Sequence, residues 1–366
     1  MKAVIPAAKK KEDMFPFSET MPTALMPVAG KPVIKHNIDA LRENGVDEIY
    51  IVTNYKEEMF EDEFGERTDV NIVHQEELEG TASAVGTCDF IEDDFIVVNG
   101  DVIISKKDIS RLIEKFEQED STSILATYEN RPEKFGVLSI ENDEVKKIEE
   151  KPEDPENPLI NTGIYCFKPE IFTTISSLDE EEDSLTDAVQ KTVDDSSAYF
   201  VIAEDYWIDI GSGEKLWEAD RIKREATVTE TEIDDSAEVS DDAVLEGNIV
   251  VGEDAVVEAG AVLKGQCIIG ENVRVEPGTV IKDSTVIEDS QLDQCSVESC
   301  LLFRENILDS FVAAENCVLG EECNVKPGTV IRESLIGARS FVEANNTILG
   351  TKFVPDARTD IGEISK

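Results

Sequence analysis

Two stretches of this 366-residue chain carry residue types suited to phosphate chemistry. The first is VIPAAKKKEDMF at 4–15, which runs on to PVAGKP at 27–32. It reads as a short buried strand followed by a loop with the rhythm of a phosphate-binding turn. Such loops use glycine, because a residue without Cβ lets backbone N–H groups press against phosphate oxygens. Here the loop holds Lys9, Lys10 and Lys11, followed by Glu12 and Asp13. Lysine offers a flexible point charge in place of that geometry; the plain alternative is a solvated loop. The second stretch is DFIVVNGD at 94–101, a buried strand that ends in Asn99, Gly100 and Asp101. An acidic residue at a strand end can serve a phosphate site or simply cap a helix.

The elements around these stretches alternate. KAVIPAA, EIYIVTN and DFIVVNGD are β-rich apolar runs, and PVIKHNIDALRENGV places apolar residues at helical spacing before a Gly45 stop. Alternating β and α elements predict an α/β fold with a mostly parallel sheet and helices on both faces. In such sheets ligands sit beyond the carboxyl ends of the strands, which places both stretches at one edge.

After DRIKREATVTE the period changes. Aliphatic residues recur every six positions from Ile233 through Val239, Leu245, Val251, Val257, Leu263, Ile269, Val275 and Ile281 to Ile287. Small residues such as Ala237, Ala255, Ala261 and Cys267 stand two before many of them. A six-residue repeat predicts a left-handed parallel β-helix of hexapeptide repeats. The register slips through Leu292, Val297 and Leu302, so a bulge or irregular coil is expected near 290–315. The predicted organisation is an α/β domain over 1–226, the β-helix over 227–356 and a loosely packed polar tail over 357–366.

The composition excludes some functions. Asp and Glu number 81 against 34 Lys and Arg, a net charge of −47. Acidity spread over the whole chain repels itself in dilute buffer and is screened in molar salt, so a surface suited to a salt-rich cytoplasm is expected; an acidic partner-binding surface is the alternative. Nucleic acid is excluded as a partner, because backbone binding needs clustered Lys and Arg. No apolar run is long enough to span a membrane. The seven cysteines form no CxxC pair and read as buried thiols of an intracellular protein. Only His36 and His74 occur, so the repeat region holds no histidine for the base of an acyl transfer.

The motifs together, in order, resemble the sugar-1-phosphate nucleotidylyltransferases that carry a C-terminal left-handed β-helix. Uridylyltransferases of the glucosamine-1-phosphate type and archaeal proteins like glucose-1-phosphate thymidylyltransferase are the nearest members. The matching motifs are PVAGKP at 27–32, QEELEGTASAV at 75–85, NGD at 99–101, FGV at 135–137, EEKP at 149–152, NTGIY at 161–165 and WIDIGSGEKLWEAD at 207–220. The resemblance implies that a sugar-1-phosphate oxygen attacks the α-phosphate of a nucleoside triphosphate in line, with Mg2+ as cofactor. It implies Lys31, Asp101 and Asp209 as catalytic residues, the last two as metal ligands. It implies Ala7, Ala8, Gln75, Gly80 and Thr81 around the nucleotide, and Gly136, Glu150, Lys151, Asn161 and Gly163 around the sugar. Which of Glu149 and Glu150 points inward is open. Against the family pattern AAG-x-G-T-R, Lys9 and Lys11 stand at the glycines, Glu12 at the threonine and Asp13 at the arginine, while Thr23 replaces the lysine of P-K-A. Two readings follow: an active nucleotidylyltransferase with an altered phosphate loop, or a non-catalytic relative that binds a nucleotide sugar or partners an active enzyme. Homo-oligomers through the β-helix are expected.

Overall fold

The computed structural model describes residues 1–78, 80–179 and 183–365. The chain forms two compact units, Met1–Lys10 with Val33–Asp209, and Lys11–Pro32 with Ile210–Lys366.

The first unit is built on a nine-stranded sheet. Its strands are β1 (Lys2–Pro6), β2 (Glu48–Thr53), β3 (Val70–His74), β4 (Phe95–Val98), β6 (Ser123–Tyr128), β7 (Gly136–Glu141), β8 (Glu144–Glu150), β9 (Leu159–Phe167) and β10 (Ala198–Ile202). A separate two-stranded ribbon pairs β5 (Val102–Ile104) with β11 (Trp207–Asp209). The spatial order in the sheet is β3-β2-β1-β4-β9-β6-β10-β8-β7. The first four of these are parallel, as the alternating pattern predicts. Beyond β4 the sheet is mixed, because β9 enters antiparallel to both β4 and β6, and β7 with β8 forms a hairpin. Ala3, Val4 and Ile5 are fully buried, which is why β1 reads as an unbroken apolar run: both faces of a central parallel strand are covered.

The helices that matter for the site are α1 (Val33–Glu43), α2 (Thr81–Gly86), α3 (Lys106–Glu119) and α4 (Leu185–Asp195). Ser105 caps α3 by accepting from the Asp108 N–H. Ser184 and Asp187 form a reciprocal capping box at the start of α4, satisfying two backbone donors that the first turn leaves open.

The second unit is the left-handed β-helix, with the hairpin of Pro27–Val28 and Lys31–Pro32 and helix α5 (Gly213–Thr227) belonging to it. Parallel rungs stack in register: Leu245 on Leu263, Leu263 on Ile281, Ile281 on Val297, Val297 on Ala314, Ala314 on Ile331 and Ile331 on Ile348. Their side chains fill the lumen, each such burial being worth about 1.5–3 kcal/mol for a large aliphatic.

Three expectations are corrected here. The six-residue step ends at Ile281, since Val286, not Ile287, joins the lumen cluster. The stretch 290–315 holds neither an irregular coil nor a bulge in its ladders: its strands pair like their neighbours, with no shift of register. Coils of three six-residue steps simply give way to coils in which one or two corners are a residue shorter. Those corners are turned by left-handed residues, among them Asp283, Asp289, Gln294, Ser299, Glu305, Phe311 and Asn316. Five cysteines (Cys267, Cys295, Cys300, Cys317 and Cys323) fill the small-residue positions facing the lumen; all seven thiols are buried and free. The tail does not pack loosely throughout, because Ile364–Ser365 adds a rung on Thr347–Ile348 and Arg358 bridges to Phe341.

Candidate active site

The ends of β1 and β4 converge as the α/β pattern requires. Ala7 N–H donates to the Val52 carbonyl at 2.8 Å and the Ala8 carbonyl accepts from Tyr55 at 3.0 Å. Gly100 N–H donates to Pro6 at 3.0 Å, and Asn99 N–H to Gly163 at 3.1 Å. Gly163 takes φ +78°, and a Cβ there would overlap the Asn99 side-chain amide. That close approach is the local reason for glycine in the NTG motif.

Asp101 and Asp209 are brought to the same end of the β5–β11 ribbon. Asp209 stands opposite Val102 in the antiparallel register, the neighbour of Asp101, and both are half-buried. Two elements hold this ribbon. Asn37, fully buried on α1, donates to the Val102 carbonyl at 2.7 Å and accepts from Ile104 N–H at 3.4 Å. Asp108, also fully buried, accepts from the N–H groups of Glu204 and Asp205 at 3.0 and 3.1 Å, just before β11. Trp207 donates from Nε1 to the Thr162 carbonyl at 3.1 Å and meets Phe135 edge-on at 5.7 Å. Residues two apart on a strand share a face, so Asp209 faces the side on which Trp207 meets the NTG bulge.

The donor set suits a small hard cation. Among the described residues no group of three or more His, Cys, Asp or Glu comes together. Two carboxylates that leave other positions to water and phosphate oxygens are what magnesium takes.

The sugar candidates form a second cluster. Glu150 stands opposite Gly136 in the β7–β8 register. Its Oε2 accepts from Thr186 Oγ1 at 2.9 Å and its Oε1 lies 3.4 Å from Lys151 Nζ. Glu149 instead pairs with exposed Lys147 at 2.5 Å, so of the two it is Glu150 that turns toward α4. Asn161, buried in the bulge of β9, accepts from Gly163 N–H at 2.9 Å and donates to the Tyr165 hydroxyl. Burial raises the Tyr165 phenol well above its usual value, which keeps it neutral.

Of the motif at 75–85, Glu79 lies outside the described residues. Gln75 is buried and donates from Nε2 to Ser83 Oγ at 3.2 Å. Gly80 takes φ +133°, where a Cβ would overlap the Asp183 carbonyl. Ala82 N–H donates to that carbonyl at 3.1 Å, and Thr81 Oγ1 accepts from Leu185 N–H at 2.9 Å. The start of α4 therefore touches both clusters: Asp183 and Leu185 hold the 80–82 turn, and Thr186 holds Glu150.

The sequence reading did not single out Asn37, Asp108, Thr186 or Trp207 as site supports. Trp207 lies inside a quoted motif, and the spacing Ser184-x-x-Asp187 signals the helix start that carries Thr186. Asn37 and Asp108 leave no such trace.

Lys31 lies on the hairpin of the second unit, whose turn residues Ala29 and Gly30 take φ +45° and +87°. None of Lys9 to Asp13 has a positive φ. Glu12–Met14 is instead a short 3-10 turn with Lys11 before it. Lys11 Nζ donates to the carbonyl of Ile210 at 3.1 Å, the residue after Asp209. Thr23 is buried and its hydroxyl has no partner.

A nucleotidyl transferase family model matches residues 2–225. The chain belongs to the nucleotidyl transferase family. A second model, described as the GMPPB C-terminal domain, matches residues 227–348. Among curated relatives, the bifunctional protein GlmU of Methanocaldococcus jannaschii is 32% identical over 263 residues, 70% of this chain and 61% of the relative. A bifunctional sugar-1-phosphate nucleotidylyltransferase/acetyltransferase of Sulfurisphaera tokodaii is 32% identical, covering 71% of this chain and 64% of that one. A low-salt glycan biosynthesis nucleotidyltransferase of Haloferax volcanii is 31% identical, covering 70% of this chain and 74% of that one. The chain spans about three-fifths of the length of the GlmU relatives. A solved structure of a putative glucose-1-phosphate thymidylyltransferase from Bacillus anthracis aligns at TM-score 0.55 and 27% identity, over 60% of this chain and 94% of that one.

Proposed function

We propose that this nucleotidyl transferase joins a nucleoside triphosphate to a sugar-1-phosphate. A sugar-phosphate oxygen attacks the α-phosphorus, the bond from that phosphorus to the β-phosphate bridge oxygen breaks, and pyrophosphate leaves. The observation that carries the reading is the β5–β11 ribbon, which sets Asp209 opposite the neighbour of Asp101. Bound there, Mg2+ would neutralise charge on the transferring phosphate. Asp101 and Asp209 are the residues that would hold it. Lys31 supplies a positive charge to phosphate, as the family likeness implies. Ala7, Ala8, Gln75, Gly80 and Thr81 surround the nucleotide. Gly136, Glu150, Lys151, Asn161 and Gly163 orient the sugar-1-phosphate, with Thr186 holding Glu150 so that its remaining oxygen can meet a hydroxyl. Such a reaction asks for positioning and charge neutralisation rather than covalent help from side chains.

A second reading, binding of a nucleotide sugar without turnover, is favoured by one observation. The 9–13 segment lacks the left-handed residues of a glycine loop, and Asp13 stands where the family's arginine would grip a triphosphate. A nucleotide sugar carries no γ-phosphate and tolerates that loss. Pyrophosphate release from a panel of triphosphates and sugar-1-phosphates, in molar KCl with Mg2+, decides between the two. Release with any pair upholds transfer; no release, with measurable binding of a nucleotide sugar, replaces it by the second reading. We expect Asp13→Arg to raise kcat/KM for the triphosphate about 10²-fold, the worth of one charge-stabilising donor.

The proposal places the protein in a salt-rich cytoplasm, supported by 81 acidic against 34 basic residues and by the screening that such charge requires. Among the described residues no helix is long and apolar enough to cross a membrane. It includes side-by-side association through the β-helix, where Ile307 and Phe311 are exposed.

A further inference from the structure

The hairpin that carries Lys31 is tied to the β-helix through a buried pair of charges. Ala29 N–H, in the hairpin turn, donates to Asp220 Oδ1 at 2.9 Å. Asp220 lies on α5 with 1% of its surface exposed. Its Oδ2 accepts from Thr285 Oγ1 at 3.1 Å and from Arg224. Arg224, 3% exposed, donates from Nη1 to Thr285 Oγ1 at 3.1 Å and from Nη2 to the Asp283 carbonyl at 2.7 Å. Arg224 Nε has no partner. Asp283 is itself a left-handed corner of the β-helix, and its Oδ1 accepts from Gln266 N–H at 3.1 Å. An unbroken run of hydrogen bonds thus leads from two coils of the β-helix, through α5, to the turn two residues before Lys31.

A pair like this is a poor device for stability alone. Desolvating two charges costs several kcal/mol per ion, and well-packed apolar residues often do as well or better. What an apolar pair cannot do is accept the Ala29 N–H.

We propose that Asp220 is a positioning residue for Lys31: the β-helix coil at Asp283–Thr285 sets Asp220 through Arg224, and Asp220 sets the hairpin turn. This rests on the proposed transfer reaction and on Lys31 acting in it. It gives the β-helix a task that needs no histidine, as a brace for the segment that delivers a cation to phosphate.

The test replaces the ion pair in two ways in the full chain, in molar KCl. Asp220→Leu with Arg224→Met removes both charges and the acceptor. Asp220→Asn with Arg224→Met removes the charges and keeps an acceptor for Ala29. We expect both pairs to unfold in urea near the wild-type midpoint. The Leu/Met pair should lose tenfold or more in kcat/KM, down to the level of Lys31→Ala, and adding Lys31→Ala to it should bring no further loss. The Asn/Met pair should retain activity within a few-fold of wild type. Wild-type kcat/KM in the Leu/Met pair, or a full extra loss on adding Lys31→Ala, would overturn the proposal. Amide exchange at Ala29 gives a reading without catalysis: protection in wild type and in the Asn/Met pair supports the tether, and rapid exchange in wild type defeats it even if the Leu/Met pair does not fold. If wild type releases no pyrophosphate from any pair, the transfer reaction falls, while Ala29 exchange still decides the tether.

Discussion

In the proposed transfer, Asp101→Asn and Asp209→Asn are each expected to cut pyrophosphate release by about 10²–10³-fold, at unchanged unfolding temperature. The scale follows from removing preorganised charge at a transferring phosphate, where one such group is worth about 3–4 kcal/mol. The two need not add. They flank one end of one ribbon, and two ligands of a single ion would act as a unit. The double variant should therefore be little worse than either single one. Each carboxylate is half-buried at the ribbon end, and the isosteric amide takes up the same volume. Steady-state release assays over a magnesium titration check both claims: the variants should need more Mg2+ for half-saturation. Activity within tenfold of wild type in either variant would remove that carboxylate from the site.

Arg224→Met is expected to destabilise the second unit by about 3–5 kcal/mol at neutral pH, because it strands a buried carboxylate without its partner. The pH dependence has a definite sign. Burial already raises the Asp220 carboxyl above the ordinary carboxylate value, and Arg224 opposes that rise. Without Arg224 the folded-state pKa climbs further above the unfolded one. Between those two values the native state holds the extra proton, so its stability falls as pH rises through the window and recovers in acid. The deficit relative to wild type should therefore shrink as pH is lowered from neutral toward the ordinary carboxylate range. Urea midpoints of both proteins across that range, in constant molar KCl, measure it. A deficit that grows in acid would contradict the assignment of a stranded Asp220 charge.

Much of the fold was legible because its periods are simple. Strand runs such as AVI at 3–5 are apolar throughout because both faces are covered. The six-residue spacing from Val251 to Ile281 reports one inward side chain per face of the coil. The later coils were misread because a shortened corner changes the spacing without disturbing the ladder. Left-handed residues such as Gln294, Ser299 and Phe311 turn those corners, and none of the three is a glycine that would announce it. The antiparallel entry of β9 was also hidden, since a local pattern does not record which neighbour a strand meets.

The sequence by itself determined the two architectures and the candidate motifs, because short-range periods and turn chemistry follow from backbone geometry alone. Only the tertiary structure decided how distant residues come together. Asp209 comes opposite Val102, the residue after Asp101, through the register of a two-stranded ribbon held by Asn37 and Asp108. Glu150 rather than Glu149 turns inward because Thr186 lies on its side of the strand. The hairpin of Lys31 belongs with the β-helix because Asp220 accepts the Ala29 N–H. Each depends on a hydrogen bond or strand pairing between residues from about 35 to nearly 200 positions apart in the chain, a separation over which no local pattern can specify the partner.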